Sequence, residues 1–279
     1  METVGVNVTH DASFCRCVNG EVNLFIEEER LSRKKHDTMP VKTVMEYQES
    51  NFAGITGLEY HDYSLKDTCN FFDVIFKKKI PNHDYRTYDQ HHFLHAMCGF
   101  YNSEFEEADV VVVDGLGNFV DEENHECATR WHVKKPTQVK LLERQVSSKF
   151  GIKTDRHDYW SMGVGMAYAS ISDYLGFGQT ESGKVMGLAP YGKEDPNIKP
   201  FVIDGRVNSK LFYRTRYGAN FIPYDYLPEK VDVRDQRFMN LAYRLQKDFE
   251  KWMTDFILKC ESKNIVLTGG CALNCVANY

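Results

Sequence analysis

Several features are missing from this sequence, and each absence removes a class of protein. None of the eight cysteines belongs to a CxxC pair; Cys15, Cys17, Cys69, Cys98, Cys127, Cys260, Cys271 and Cys275 are scattered through strand-like and helix-like stretches. That is the usage of reduced thiols, not of a disulfide framework. No apolar run approaches the ~18 residues needed to span a bilayer, and the start, METVGVNVTH, has no basic region followed by an apolar stretch of the secretory kind. Positive charge is not in excess either: 34 Lys and Arg stand against 40 Asp and Glu, a formal charge of -6. The chain therefore lacks an electrostatic footprint for gripping a phosphate backbone. These absences lead to the expectation of a soluble, cytoplasmic protein with neither a membrane nor nucleic acid as partner.

What is present is 279 residues, 42% of them hydrophobic, enough for one large domain or two lobes with separate cores. The beginning reads as three strands. Val4 to Val8 is apolar, Phe14 to Val18 follows a polar turn, and Asn19-Gly20 before Val22 to Ile26 is a hairpin signal. A related order returns near residue 110, where Val110 to Val113 reads as a buried strand, Asp114-Gly115-Leu116-Gly117 as a turn, and Ala128 to Val133 and Val139 to Leu142 as two more strands. Helices are predicted at Phe93 to Tyr101, at Ser161 to Leu175 and at Arg237 to Cys260. The last places Phe238, Leu241, Leu245, Phe249, Trp252 and Phe256 at helical spacing. Ile265 to Leu267 reads as a strand, Gly269-Gly270 as a turn and Ala272 onward as the start of a helix. The fold class is thus α/β. Two lobes, each a meander followed by helices and further strands, match the duplicated ribonuclease-H-like plan of actin and the sugar kinases, with a first lobe over 1–108 and a second, incomplete one over 109–279.

The most informative short stretch is Asp89-Gln90-His91-His92-Phe93-Leu94-His95-Ala96. At the beginning of a helix, His91 and His95 differ by about 40° around the axis, so both imidazoles can reach one ion. Such a pair suits Zn, Fe, Ni or Co, and a nearby carboxylate would complete a facial set with open positions. Asp114, emerging at the end of a four-valine strand, is the candidate. The same spacing also suits polar helix-start residues making local hydrogen bonds.

The turns His10-Asp11-Ala12-Ser13 and Asp114 to Gly117 occupy equivalent places in the two halves and resemble paired phosphate loops. Gly178 to Val185 nearly spells a P-loop, but Val185 stands where Ser or Thr would hold magnesium and a helix precedes it, so a P-loop is rejected. The segment that follows, Met186 to Gly192, lines a cleft or turns a corner. Leu267 to Asn274 is a strand, a double glycine and a helix start, which allows close approach of an adenine or ribose. Glu27 to Asp37 reads from charge pattern as a solvated face. The Lys77-Lys78-Lys79 run reads as a solvated turn.

Read together, His10 to Ser13, EERLSRKKHD at 28–37, HHFLHA at 91–96, VVVDGLG at 111–117, GKVMGLAPYG at 183–192 and LTGGCALNCVAN at 267–278 resemble the NodU/CmcH-type carbamoyltransferase family. They occur in order along the whole chain. The resemblance implies a domain similar to the tRNA threonylcarbamoyl-transfer proteins, holding a divalent metal, iron first and zinc second, and a carbamoyl-adenylate. In that family a YrdC-like domain makes the adenylate from carbamoyl phosphate and ATP, and the carbamoyl group passes to a hydroxyl of a small-molecule or sugar acceptor. Carried over, His91, His95 and Asp114 match metal ligands. Gly115, Gly117, Gly183, Lys184, Gly269, Gly270 and Asn274 would lie against the adenylate. His10 and Lys35 match positions facing the acceptor and the reacting group.

The resemblance departs at the end. A further family aspartate, the closing helices of the second lobe and the YrdC-like domain are not in the sequence, so the missing portion, or a partner chain carrying it, is expected. Two other readings stand beside the transferase: a non-catalytic remnant binding nucleotide or acceptor, and a protein like the tRNA threonylcarbamoyl-transfer enzymes.

Overall fold

A computed structural model describes residues 2–7, 11–47, 55–56, 90–117, 120–121, 124–148, 162–215 and 218–279. Val8, His10, Lys77 to Lys79, Asp89 and Ser161, singled out above, lie outside the described residues. The chain forms two compact units, Met1–Leu94 and His95–Tyr279.

The first unit contains strands β1 (Glu2–Asn7), β2 (Ser13–Val18) and β3 (Glu21–Glu27), helices α1 (Glu28–Ser32) and α2 (Val41–Tyr47), and the two-residue strand β4 (Ile55–Thr56). Asn19 and Gly20 close the β2–β3 hairpin with φ of 53° and 89°, the left-handed pair that matches the natural twist of two joined strands. The sheet order is β3-β2-β1-β4, with β4 parallel to β1 and the other pairs antiparallel. Alternate residues Val4 and Val6 are buried with Phe14 and Val44.

Glu28 departs from the solvated face that its charged neighbours suggest, being only 2% exposed. Its carboxylate accepts the backbone N–H groups of Lys42 at 2.9 Å and Thr43 at 2.8 Å, and the Thr43 hydroxyl at 2.9 Å. These N–H groups belong to the first turn of α2 and have no partner within their own helix. A carboxylate there satisfies them and complements the positive end of the helix.

The second unit takes most of helix α3 (His91–Tyr101), then β5 (Glu107–Val113), β6 (Asn124–Lys134), β7 (Gln138–Ser148), α4 (Val164–Tyr174), α5 (Ser182–Leu188), two short hairpins β8–β9 (Val202–Ile203, Arg206–Val207) and β10–β11 (Phe212–Thr215, Gly218–Phe221), α6 (Gln236–Ile257) and β12 (Ile265–Thr268). Its main sheet has the order β7-β6-β5-β12, with β12 parallel to β5 and the others antiparallel. The order and directions repeat those of the first sheet.

Four consecutive valines make β5 a strand buried on both faces. Val110 and Val112 pack with Ala96 and Phe100 of α3, whereas Val111 and Val113 belong to the larger core with Ala167 and Ile171 of α4 and Leu241, Leu245 and Phe249 of α6. Helix α3 lies close to the sheet because residue 99 is glycine: a Cβ there would stand 3.0 Å from Val266 Cγ1 and 3.2 Å from Thr268 Cβ. The 22 residues of α6 follow Asp235, whose side chain caps the helix by accepting from Arg237 N–H. Among the described residues no helix is long and apolar enough to cross a membrane.

The predicted helix from Ala272 onward is instead a 3-10 turn, Gly270–Leu273, ended by Asn274 at ψ 85°. The cause is tertiary. The Asn274 side chain is buried and paired with Gln246 of α6, and the backbone leaves the helical path to deliver it.

At the opposite end of β5 from Val113, Asp109 ties three segments together. One carboxylate oxygen meets His132 Nδ1 at 2.8 Å and the other accepts from Glu261 and Ser262 N–H at 2.8 and 3.1 Å. Burial raises its pKa, but the hydrogen bonds from His132 and the two backbone N–H groups together outweigh it and hold the carboxyl below its ordinary 3.8. A carboxyl with a depressed folded-state pKa adds stability above its unfolded value and loses it as pH falls through the folded one. Asp109→Asn should therefore unfold more easily than the wild type near neutrality and lose less additional stability on acidification from about pH 6 to about pH 3, as read from urea midpoints.

Candidate metal centre

The strand β5 ends at Val113 and delivers Asp114 into a turn whose shape is fixed by its own hydrogen bonds. Asp114 N–H donates to the Cys127 carbonyl at 3.1 Å and Gly117 N–H to the Glu126 carbonyl at 2.8 Å. Gly115 N–H returns to Asp114 Oδ1 at 2.7 Å. The second carboxylate oxygen, Oδ2, lies 3.4 Å from His95 Nε2. One helical turn earlier His91 opens α3, and one ligand atom from each of His91, His95 and Asp114 falls within 4.8 Å of the others. All three side chains are partly exposed, so a small ligand has access. His92, between them in sequence, is fully buried, as its different angle around the helix requires.

Two imidazole nitrogens and a carboxylate oxygen at such separations can converge on one divalent cation and leave further positions open. The chemistry of this donor set fits iron or zinc.

Glycines bring the backbone around this point together. Gly269 has φ 88°, and a Cβ there would lie 2.4 Å from the Val113 carbonyl oxygen; one on Gly270 would lie 3.0 Å from Asp114 Oδ1. On the other side, a Cβ at Gly165 in the first turn of α4 would meet the Asp114 carbonyl oxygen at 2.7 Å and Cys271 Sγ at 2.8 Å. Two turns thus press on the end of β5 at distances that exclude any side chain. Cys127 and Cys271 fill the space between. Burial pushes the Cys127 thiol up to about 12, and burial first, then the Asp114 charge, holds the Cys271 thiol well above its ordinary value. Both act as small neutral packing groups.

The other residues singled out from sequence are distributed as follows. Gly115 and Gly117 sit in the Asp114 turn, with their N–H groups engaged as described. Gly269 and Gly270 stand against Val113 and Asp114. Asn274 is buried behind them, its amide paired with Gln246. Gly183 and Lys184 lie on the exposed side of α5, where Lys184 pairs with Glu181 at 3.2 Å. Lys35 is in an exposed turn of the first unit. That turn is joined to the one beginning at Asp11 by His36 Nδ1 against Asp11 Oδ1 at 2.7 Å and by Ala12 N–H to the Asp37 carbonyl at 2.9 Å. The sequence placed His36 only within the EERLSRKKHD stretch and gave it no role of its own, and it did not mark Gln246. Neither carries a spacing signal, because their partners are 25 and 28 residues away.

Crowding at Gly165 and open space at Gly183, where a Cβ meets nothing within 4 Å, make a matched pair. Gly165→Ala should cost about 1–3 kcal/mol of stability through overpacking. Gly183→Ala should be neutral or stabilise by up to about 1 kcal/mol through helix propensity. Urea unfolding of the two variants checks both.

Comparison with known proteins gives this site a context. A family model described as Carbamoyltransferase N-terminus matches residues 53–279. The chain is similar to the nodulation protein NolNO of Sinorhizobium fredii, 25% identical over an alignment covering 96% of this chain and 42% of that protein. It is also similar to an uncharacterized protein of Synechocystis, 23% identical over 96% of this chain and 50% of the relative. The nodulation protein NolO of Bradyrhizobium diazoefficiens is 26% identical over 67% of this chain and 32% of its own length. The chain therefore spans half or less of the length of these curated relatives. With the family match extending over most of its residues, the chain belongs to the NodU-type carbamoyltransferase family.

Proposed function

We propose that this chain is the part of an O-carbamoyltransferase that holds a divalent metal and carbamoyl-adenylate, and that it passes the carbamoyl group to a hydroxyl of a small-molecule or sugar acceptor. The observation that carries this reading is the convergence of His91, His95 and Asp114 ligand atoms within 4.8 Å of one another, in a chain of a carbamoyltransferase family.

In this proposal His91, His95 and Asp114 Oδ2 hold the ion, iron first and zinc second. When bound, the ion supplies Lewis-acid polarisation of the carbamoyl carbonyl or of the adenylate phosphate. The fixed turns at Gly115 to Gly117 and Gly269–Gly270 admit the nucleotide close to backbone, and Gly183 and Lys184, in the first turn of α5, add an open helix face and a cation. The acceptor oxygen forms its bond to the carbamoyl carbon, and the bond from that carbon to the adenylate phosphate oxygen breaks, releasing AMP. His10 takes the hydroxyl proton, and Lys35 offsets negative charge on the leaving adenylate. These two roles rest on resemblance.

The same reading takes 1–108 and 109–279 as ribonuclease-H-like lobes of the actin and sugar-kinase kind, a boundary 14 residues beyond that of the compact units. Its support is the repeated sheet plan, in which a three-strand antiparallel meander gains a parallel fourth strand beside its first. Manufacture of the adenylate from carbamoyl phosphate and ATP falls to a YrdC-like domain, on the same longer protein or on a partner chain.

The test combines metal analysis with product detection. Purified wild-type protein should contain a stoichiometric transition metal by plasma mass spectrometry and, with a YrdC-like domain, carbamoyl phosphate and ATP, should carbamoylate an acceptor hydroxyl detectable by mass spectrometry. His91→Ala and His95→Ala should weaken metal binding by at least the ~10–100-fold that loss of an outer-shell partner produces and abolish product in parallel. Product formation by a metal-free double variant would refute the assignment. Metal and nucleotide binding by wild type without product for any acceptor would favour a non-catalytic remnant.

A further inference from the structure

Between the helices of the second unit lies a hydrogen-bond network centred on Gln246, a residue to which the proposed reaction gives no role. Gln246 is in the middle of α6 on its buried face, 3% exposed, with Leu245 and Phe249 beside it at 3% each. Its Oε1 accepts from the Tyr168 hydroxyl of α4 at 2.8 Å and from Asn274 Nδ2 at 2.9 Å. Its Nε2 donates to Asn274 Oδ1 at 3.1 Å and to Glu250 Oε1 at 3.1 Å. Both lone pairs and both protons are thereby used. Asn274 Oδ1 also accepts Ala277 N–H at 3.1 Å, and Asn274 N–H reaches back to the Cys271 carbonyl at 3.1 Å.

The geometry points to Gln246 as a positioning residue for the candidate metal centre, acting through the double-glycine turn. The route is short. Gln246 grips Asn274 by a reciprocal amide pair. Asn274 ends the 3-10 turn that begins at Gly270. A Cβ on Gly270 would lie 3.0 Å from Asp114 Oδ1, and one on Gly269 would lie 2.4 Å from the Val113 carbonyl. Asp114 Oδ1 is thus enclosed between Gly270 and its bond from Gly115 N–H, and Oδ2 is left turned to His95. Cys271 packs at the edge of the core on one side of the turn, whereas Leu273 is 81% exposed and contributes no such anchor. A buried amide with both lone pairs and both protons matched, as in Gln246, favours one arrangement, because displacement leaves its polar atoms unsatisfied in a low dielectric. Asn274 accordingly supports the turn from behind.

This inference rests on the metal reading above, and its test separates the two. Gln246→Met keeps length and packing while removing all four hydrogen bonds; Tyr168→Phe removes one and serves where the first variant does not fold. Met253→Ala, in the same helix and core but outside the network, controls for lost stability. Each protein, in the full chain, is examined by hydrogen–deuterium exchange and, after loading with Co(II), by its visible absorption spectrum and by chelator competition. Gln246→Met should exchange faster at 270–274 and at Gly115, shift the Co(II) bands, and bind Co(II) about 10-fold more weakly. Tyr168→Phe should show the same changes to a smaller degree, and Met253→Ala should lower the melting temperature without shifting the bands. Unchanged exchange at Gly115 and 270–274 in Gln246→Met, or changes no larger than those of Met253→Ala, would overturn the inference. A wild type that takes up no Co(II) would instead remove the metal reading, and exchange would then decide the positioning.

Discussion

The structure of the second unit depends on how closely two turns approach the end of one buried strand. β5 is covered on both faces, so its last residues cannot yield to either side. Backbone at Gly165 and at Gly269 and Gly270 reaches the strand end only because those residues lack side chains. That approach sets where the Asp114 carboxylate points, and it joins α4 and the segment after β12 into the same core. Side chains held by packed neighbours and by hydrogen-bonded supports keep their geometry far better than side chains on loops alone.

The architecture of each sheet is simple, and much of it was legible in the sequence. Asn19-Gly20 could only be a tight hairpin between the strands around it, and four adjacent valines could only be a strand without a wet face. The apolar stripe of α6 defined its core face, and the Asp235 cap lies one residue before its start. The α3 spacing and the strand-end position of Asp114 follow from local pattern, and the family resemblance supplied the reason to name the two histidines and the aspartate together.

What could not be read is long-range and polar. Glu28 sits in a run of charges and is nevertheless buried, because two N–H groups at 42 and 43 meet it there. Asn274 sits where a helix was expected to begin, and its pairing with a residue 28 positions earlier bends the chain away. Periodicity reports which face of an element is apolar; it is silent about a polar side chain whose match lies on another element. Gln246, like Asn240, lies inside the largely apolar buried face of α6, and only its partners explain it.

Gly99 carries a consequence for the two imidazoles. Helix α3 rests on β12 through the hydrogen atom at that position, with Ala96 and Phe100 seated beside it. His95 directly precedes Ala96, so the height at which its ring emerges over the sheet rim is set by how deeply the helix sinks. A methyl group inserted beneath the helix would act as a shim, lifting His91 and His95 together while Asp114 stayed with the strand. The spacing between nitrogen and oxygen donors is thus governed from below, by a residue with no side chain of its own.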